Sequence, residues 1–190
     1  MLQDTLKKRA RDYILTKRQA LTKQQINDYS QNYLTQFIYF FTEYQKHYKP
    51  KIIGGSYPIH NELDVLPILN YCREQGLKTA LPYCSGQKTP LTFYNFNGDI
   101  TSLKPDHYQI PAPDNNQEII VPDLIICPAV GVSTNEPYQR LGYGGGFFDT
   151  YAQHYPHIHF IGGFCRFQFL GNTQIFHNKD LIFKKIFKIN

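Results

Sequence analysis

Between Arg140 and Asp149 the chain reads Arg-Leu-Gly-Tyr-Gly-Gly-Gly-Phe-Phe-Asp, so a guanidinium, a glycine cluster and a carboxylate share one short segment. Gly142, Gly144, Gly145 and Gly146 let the backbone reach positive φ and turn its N–H groups toward an anion. A helix starting directly after them would add a favourable dipole. Arg140 supplies a planar fork for phosphate, and Asp149 a carboxylate that magnesium can use. The pattern points to a phosphate and metal site. A flexible surface turn would account for the glycines, though not for the charged flanks. No GK[ST] follows the glycines and their spacing is not GxGxxG, which excludes a Walker A loop and a dinucleotide fingerprint.

Other groups are ambiguous by themselves. Lys7 and Arg11, four apart, share one helix face, where such residues are ordinarily solvated. Glu62 reads as an acid at a helix N-terminus, stabilised by the dipole. Cys72, Cys84, Cys127 and Cys165 are widely spaced with no CxxC pair, which argues against a zinc site or a disulfide framework and for the reducing cytoplasm.

The elements that must position these groups follow from periodicity. Apolar residues at Leu2, Leu6, Ala10 and Ile14, with Lys and Arg between them, predict a first helix with a basic face. Thr22-Lys-Gln-Gln25 is a capping box, and Ile26 through Tyr44 keeps helical spacing to about residue 46. A strand at 51–54, a helix from Glu62 to Gln75 with Pro67 near its first turn and Gly76 ending it, and a strand at 78–81 make a β-α-β unit. Further strands are expected at 92–97, 123–127 and 158–164, a helix at 147–154, and irregular chain at 104–117 and 128–139. The class is α/β: an open, mainly parallel sheet flanked by helices in a Rossmann-like three-layer arrangement. One domain spans 1–190, with N-terminal helices to about 46 packing on an α/β core from about 50.

Bulk properties agree with a globular, unexported protein. Composition is 42% hydrophobic and 18% charged, and the formal charge is +5. That excess suits a polyanionic small molecule as well as nucleic acid. Basic residues gather at the two termini without an RNA-binding motif, so no nucleic-acid partner is expected. No apolar run approaches the ~20 residues of a membrane span.

Three stretches together resemble the 5-formyltetrahydrofolate cyclo-ligase family: Asp123-Leu-Ile-Ile-Cys-Pro128, the segment Arg140–Asp149, and Ile161-Gly-Gly-Phe-Cys-Arg-Phe-Gln168. Lys7-xxx-Arg11 followed by Lys17-Arg-Gln-Ala-Leu21 resembles the family's basic first helix, and Tyr57 through Glu62 its folate-contacting stretch. The resemblance implies a cytoplasmic ligase, monomeric or weakly dimeric, that uses ATP and Mg²⁺ to convert 5-formyltetrahydrofolate to 5,10-methenyltetrahydrofolate. It implies Arg140 and Tyr143 as catalytic residues. It assigns ATP to Lys7, Arg11 and the run Arg140, Leu141, Gly142, Tyr143, Gly144, Gly145, Gly146, Phe147 and Phe148. It assigns folate to Tyr57, Glu62 and Tyr143 through Phe147, and the metal to Asp149 and Asp180. The loop 131–139 departs from the family pattern, with Ser133 and Gln139 at altered positions, and Lys184 stands where an acid is common. A non-catalytic folate- or nucleotide-binding relative is the alternative.

Overall fold

The computed structural model describes residues 2–86, 89–171 and 173–190. In chain order its elements are α1 (Leu2–Gln19), α2 (Lys23–Tyr48), β1 (Ile52–Gly54), α3 (Leu66–Glu74), β2 (Lys78–Tyr83), β3 (Thr92–Asn95), β4 (Lys104–Pro105) and β5 (Pro111–Ala112). There follow β6 (Leu124–Ile126), β7 (Gly131–Ser133), β8 (Tyr138–Leu141), α4 (Phe147–His154), β9 (His159–Cys165), β10 (Phe169–Leu170), β11 (Ile182–Phe183) and β12 (Lys185–Ile189).

Six strands form the central sheet in the order β12-β9-β6-β1-β2-β3, parallel throughout except for the β2–β3 pair. Alternate residues of each strand face opposite layers. Leu124 and Ile126 of β6 join Ile53, Ile161 and the α2 aromatics Tyr33, Phe37 and Phe41 on one face. Ile125 and Cys127 join Phe93, Phe160 and the α4 residues Phe148 and Tyr151 on the other. Helices therefore cover both faces, which makes the three layers.

The capping box of α2 forms as its sequence requires: Thr22 Oγ1 accepts from Gln25 N at 3.2 Å and Gln25 Oε1 accepts from Thr22 N at 2.9 Å. Three expectations need correction. The third helix starts at Leu66 rather than Glu62, with Pro67 in its first turn, so Glu62 lies in the β1–α3 loop and not on a helix. Residues 128–139 are not a plain loop. They supply β7 and part of β8, the centre of a second sheet ordered β10-β7-β8-β11. Residues 104–117 hold a short antiparallel β4–β5 pair. The proline-broken composition hides strands this short, because each contributes too few residues to show a period. Among the described residues no helix is long and apolar enough to cross a membrane.

The chain order reverses at β1, whose neighbours are β2 on one side and β6 on the other. Beyond the carboxyl ends of such strands a crevice opens, the usual ligand position in an open α/β sheet.

Candidate active site

Arg140, near the end of β8, is buried at 5% exposure. Its Nε donates to Pro128 O at 2.9 Å, and its Nη1 donates to Asp149 Oδ2 at 3.2 Å. The guanidinium lies over the Phe148 ring, 5.1 Å from the centroid. Asp149 sits in the first turn of α4, and its other oxygen accepts the Leu181 N–H at 2.9 Å. One carboxylate thus ties the start of α4 both to β8 and to the chain entering β11.

Between these two residues the glycines have separate reasons. Gly144 and Gly146 take φ of 114° and 69°, the second as the N-cap of α4. No side chain caps that helix, and a helix N-terminus without a cap favours an anion. A Cβ at Gly142 would overlap the tip of Arg140.

α1 crosses behind the segment, and its inward face is unexpected. Lys7, Ile14 and Arg18 are the buried residues of the helix, with Arg11 half-buried on the same stripe. The apolar stripe read from the sequence runs beside it. Leu6 and Ala10 pack against Leu141, Ile175 and Phe176, while Leu2 is exposed. Lys7 Nζ lies 2.7 Å from both oxygens of Asp180, which also accepts the His177 N–H at 2.7 Å. Arg11 Nε donates to Gly142 O at 2.7 Å. Of these two cations, Arg11 contacts the glycine segment and Lys7 contacts Asp180. Leu141 points away from it into the apolar cluster, so it can meet a nucleotide only through its backbone.

One helical turn past Ile14, Arg18 donates through Nη2 to the Tyr143 hydroxyl and lies 3.8 Å from Glu62 Oε1. Tyr143 in turn donates to Glu62 Oε1 at 2.8 Å, and Ile59 N–H donates to Oε2 at 3.1 Å. Burial pushes the Glu62 carboxyl above its usual range, and the opposing pull of Arg18, the Ile59 N–H and Tyr143 does not cancel it. The neighbouring Cys127 thiol is pushed up to about 12 by burial, so it stays protonated and offers no nucleophile.

Ile59, Glu62, Arg140 and Tyr143 border a cleft of about 780 Å³. Tyr57, Ile59, His60 and Glu62 of the β1–α3 loop line it together with Arg140, Tyr143 and Gly145–Phe148, and Leu91, Tyr108 and Ile110 supply apolar wall. The structure brings Tyr57 and Glu62 to the same cavity as the glycine segment and sets Lys7, Arg11 and Asp180 at the segment's back. A largely apolar hollow with a few aimed polar groups suits a planar heteroaromatic ligand.

Sequence reasoning missed two residues. Arg18 enters the sequence reading only within the basic first helix and carries no site role there, although Lys7, Arg11, Ile14 and Arg18 repeat at 4, 3 and 4 residues, the spacing of one helix face. Asp106 shapes the cleft wall by accepting the N–H groups of Tyr108 at 2.8 Å and Ile110 at 3.0 Å. The Pro105-Asp106 pair carried that turn signal inside a stretch read as irregular.

Among the described residues no three His, Cys, Asp or Glu side chains gather into a metal cage. Magnesium that arrives with a nucleotide asks for less, one or two carboxylates besides the phosphates. Asp149 fits that demand, since each of its oxygens has a single protein partner and a further lone pair. Asp180 fits it less well, with both oxygens on Lys7.

A family model described as the 5-formyltetrahydrofolate cyclo-ligase family matches residues 3–163. Two solved structures share the fold. A 5,10-methenyltetrahydrofolate synthetase from Mycoplasma pneumoniae aligns with TM-score 0.73 and 20% identity, covering 95% of this chain and 96% of that one. The Aquifex aeolicus 5,10-methenyltetrahydrofolate synthetase aligns with TM-score 0.75 and 20% identity, covering 96% and 89%. The comparison with curated proteins gives no match.

Proposed function

Because the chain belongs to the 5-formyltetrahydrofolate cyclo-ligase family, we propose that it closes 5-formyltetrahydrofolate to 5,10-methenyltetrahydrofolate in the cleft between Glu62 and the glycine segment, at the expense of ATP. What supports this reading is that the glycine segment, Arg140 and the buried Glu62 border one cavity.

The formyl oxygen on N5 is a poor leaving group. Transfer of the γ-phosphoryl group to it, with departure of ADP, leaves an iminium phosphate. N10 then attacks the formyl carbon and gives up its proton to solvent, and the C–O bond breaks so that inorganic phosphate departs with the former formyl oxygen, leaving the methenyl bridge. Neither step needs a covalent protein nucleophile, and both need positioning and compensation of phosphoryl charge. Arg140 and the N–H groups at the start of α4 meet that charge, with Lys7 and Arg11 holding the nucleotide from α1. Bound magnesium would screen the phosphates, with Asp149 as its main protein ligand and Asp180 nearby.

Glu62 takes the pterin end, where its acceptor oxygens meet amino and ring N–H groups. Tyr143 is fixed to Glu62 by its hydroxyl and belongs to the phosphate segment by its backbone, so it links the two substrate halves. Tyr57 and the aromatic wall hold the flat rings. Four buried free cysteines support a cytoplasmic setting. The enzyme is taken to work as a monomer or weak dimer, without nucleic acid.

Purified protein given ATP, Mg²⁺ and 5-formyltetrahydrofolate should develop the near-ultraviolet absorbance of the methenyl product. No ATP-dependent change at high enzyme concentration would overturn the assignment. Folate or ATP binding by calorimetry without turnover would then identify a non-catalytic relative.

A further inference from the structure

Next to the main cleft, and sharing Ser56, Glu62 and Pro128 with it, lies a cavity of about 30 Å³. Its lining includes Arg18, Tyr33, Glu62, Cys127 and Gln168. Two polar atoms of that lining are unusual. Arg18 Nε and the Tyr33 hydroxyl are fully buried, and neither has a hydrogen-bond partner in the protein. Their residues are 3% and 1% exposed.

Each of these groups, left dry, carries the whole desolvation penalty of a lost hydrogen bond. They would be poor choices for such a place, since phenylalanine would fill the Tyr33 site without that penalty. The Tyr33 ring is well packed, lying 5.3 Å from the Phe187 ring and directly against Gly163, where a Cβ would come within 2.7 Å of it. The hydroxyl is therefore held in place rather than merely tolerated. Arg18 has the complementary difficulty. Its Nη1 reaches Ala129 O at 3.4 Å, a long bond, and its Nη2 serves Tyr143. With Nε unanchored, the guanidinium plane that orients Tyr143 and faces Glu62 is fixed on one edge only.

A cavity of this size with several polar residues in its wall has room for one or two waters, which ordinarily make two to four hydrogen bonds. We propose that an ordered water in this cavity joins Arg18 Nε–H to the Tyr33 hydroxyl, and that Arg18 and Tyr33 act through it as positioning residues for the Glu62–Tyr143 pair. The water accepts from Nε–H, exchanges a hydrogen bond with the hydroxyl, and has the Glu62 carboxylate in the same cavity wall as a further acceptor. Arg18 is then held along both edges, and the carboxylate opposite it keeps one orientation. This inference rests on the placement of Glu62 at the folate end.

Crystals of the wild-type protein and of Tyr33→Phe, with steady-state kinetics on both, form the test. Electron density for a water within hydrogen-bonding distance of Arg18 Nε and Tyr33 Oη is expected in the wild type and not in the variant. Tyr33→Phe should raise the KM for 5-formyltetrahydrofolate about fivefold, the weight of one net hydrogen bond, and leave the KM for ATP unchanged. A cavity without density in the wild type overturns the proposal. So does a Tyr33→Phe enzyme whose folate KM is unchanged, or whose two KM values rise together. The density is read without any substrate, so a wrong folate assignment for Glu62 would show as a water that is present while Glu62→Gln leaves the folate KM unchanged.

Discussion

The Tyr143 hydroxyl donates to Glu62 Oε1 at 2.8 Å, joining positions 81 residues apart across one cleft. Tyr143 belongs to the glycine segment and Glu62 to the loop after β1, so this bond fixes the spacing between those two parts of the cleft lining. Arg18 touches both partners from below. The shape of the cleft is set by this cluster as much as by the glycines.

Arg140→Ala should lower turnover by about two to three orders of magnitude, the usual cost of removing a donor aimed at developing charge. It should also lower stability by roughly 3 kcal/mol, because a buried guanidinium and its ties to Asp149 and Pro128 are lost together. Denaturant unfolding and single-turnover kinetics separate the two effects. A fully stable variant with normal turnover would remove Arg140 from the site.

Asp149→Asn keeps an acceptor for the Leu181 N–H while removing the charge. The expected result is a raised Mg²⁺ requirement with a small loss of stability. Chelation of the metal should abolish turnover and leave the melting temperature unchanged, since no metal cage is built into the described fold. A melting temperature that drops on chelation would point to a structural metal instead.

Lys7→Ala should raise the KM for ATP about tenfold through loss of a charge-assisted phosphate contact, with little change in the KM for folate. A rise confined to folate would place Lys7 on the wrong side of the cleft.

Glu62 gives a pH signature. Its carboxyl keeps its proton in the folded state to a higher pH than its ordinary 4.5, because burial outweighs Arg18 and Tyr143. Between that value and the raised one, the unfolded chain binds fewer protons than the folded chain, so stability falls as pH rises. The contribution is fully present below the ordinary value and is lost as pH passes the folded one. Melting temperatures of Glu62→Gln and wild type, compared in steps upward from pH 4.5, should diverge in favour of the variant across that window. A gap that narrows instead would mean that Arg18 outweighs burial.

The first two helices and α4 are legible because their signals are local: a periodic stripe, a capping box, a glycine N-cap. The central β-α-β unit shows for the same reason. β12 escapes a sequence reading although it is an edge of the main sheet, since its five residues follow directly on β11 with Lys184 between. The site divides in the same way. Arg140 and Asp149 lie nine residues apart and announce each other, whereas Arg18 acquires meaning only from Glu62 and Tyr143, which the chain delivers much later. A basic helix face reads as solvated unless its distant partners are known, and here the basic residues Lys7 and Arg18 are among the most buried of their helix.

The Lys7–Asp180 pair spans 173 residues. A contact of such high sequence separation forms late relative to local ones, so the inward face of α1 is complete only when the stretch bearing Asp180 has docked against it, and loosening of that distant stretch would free the first helix as well.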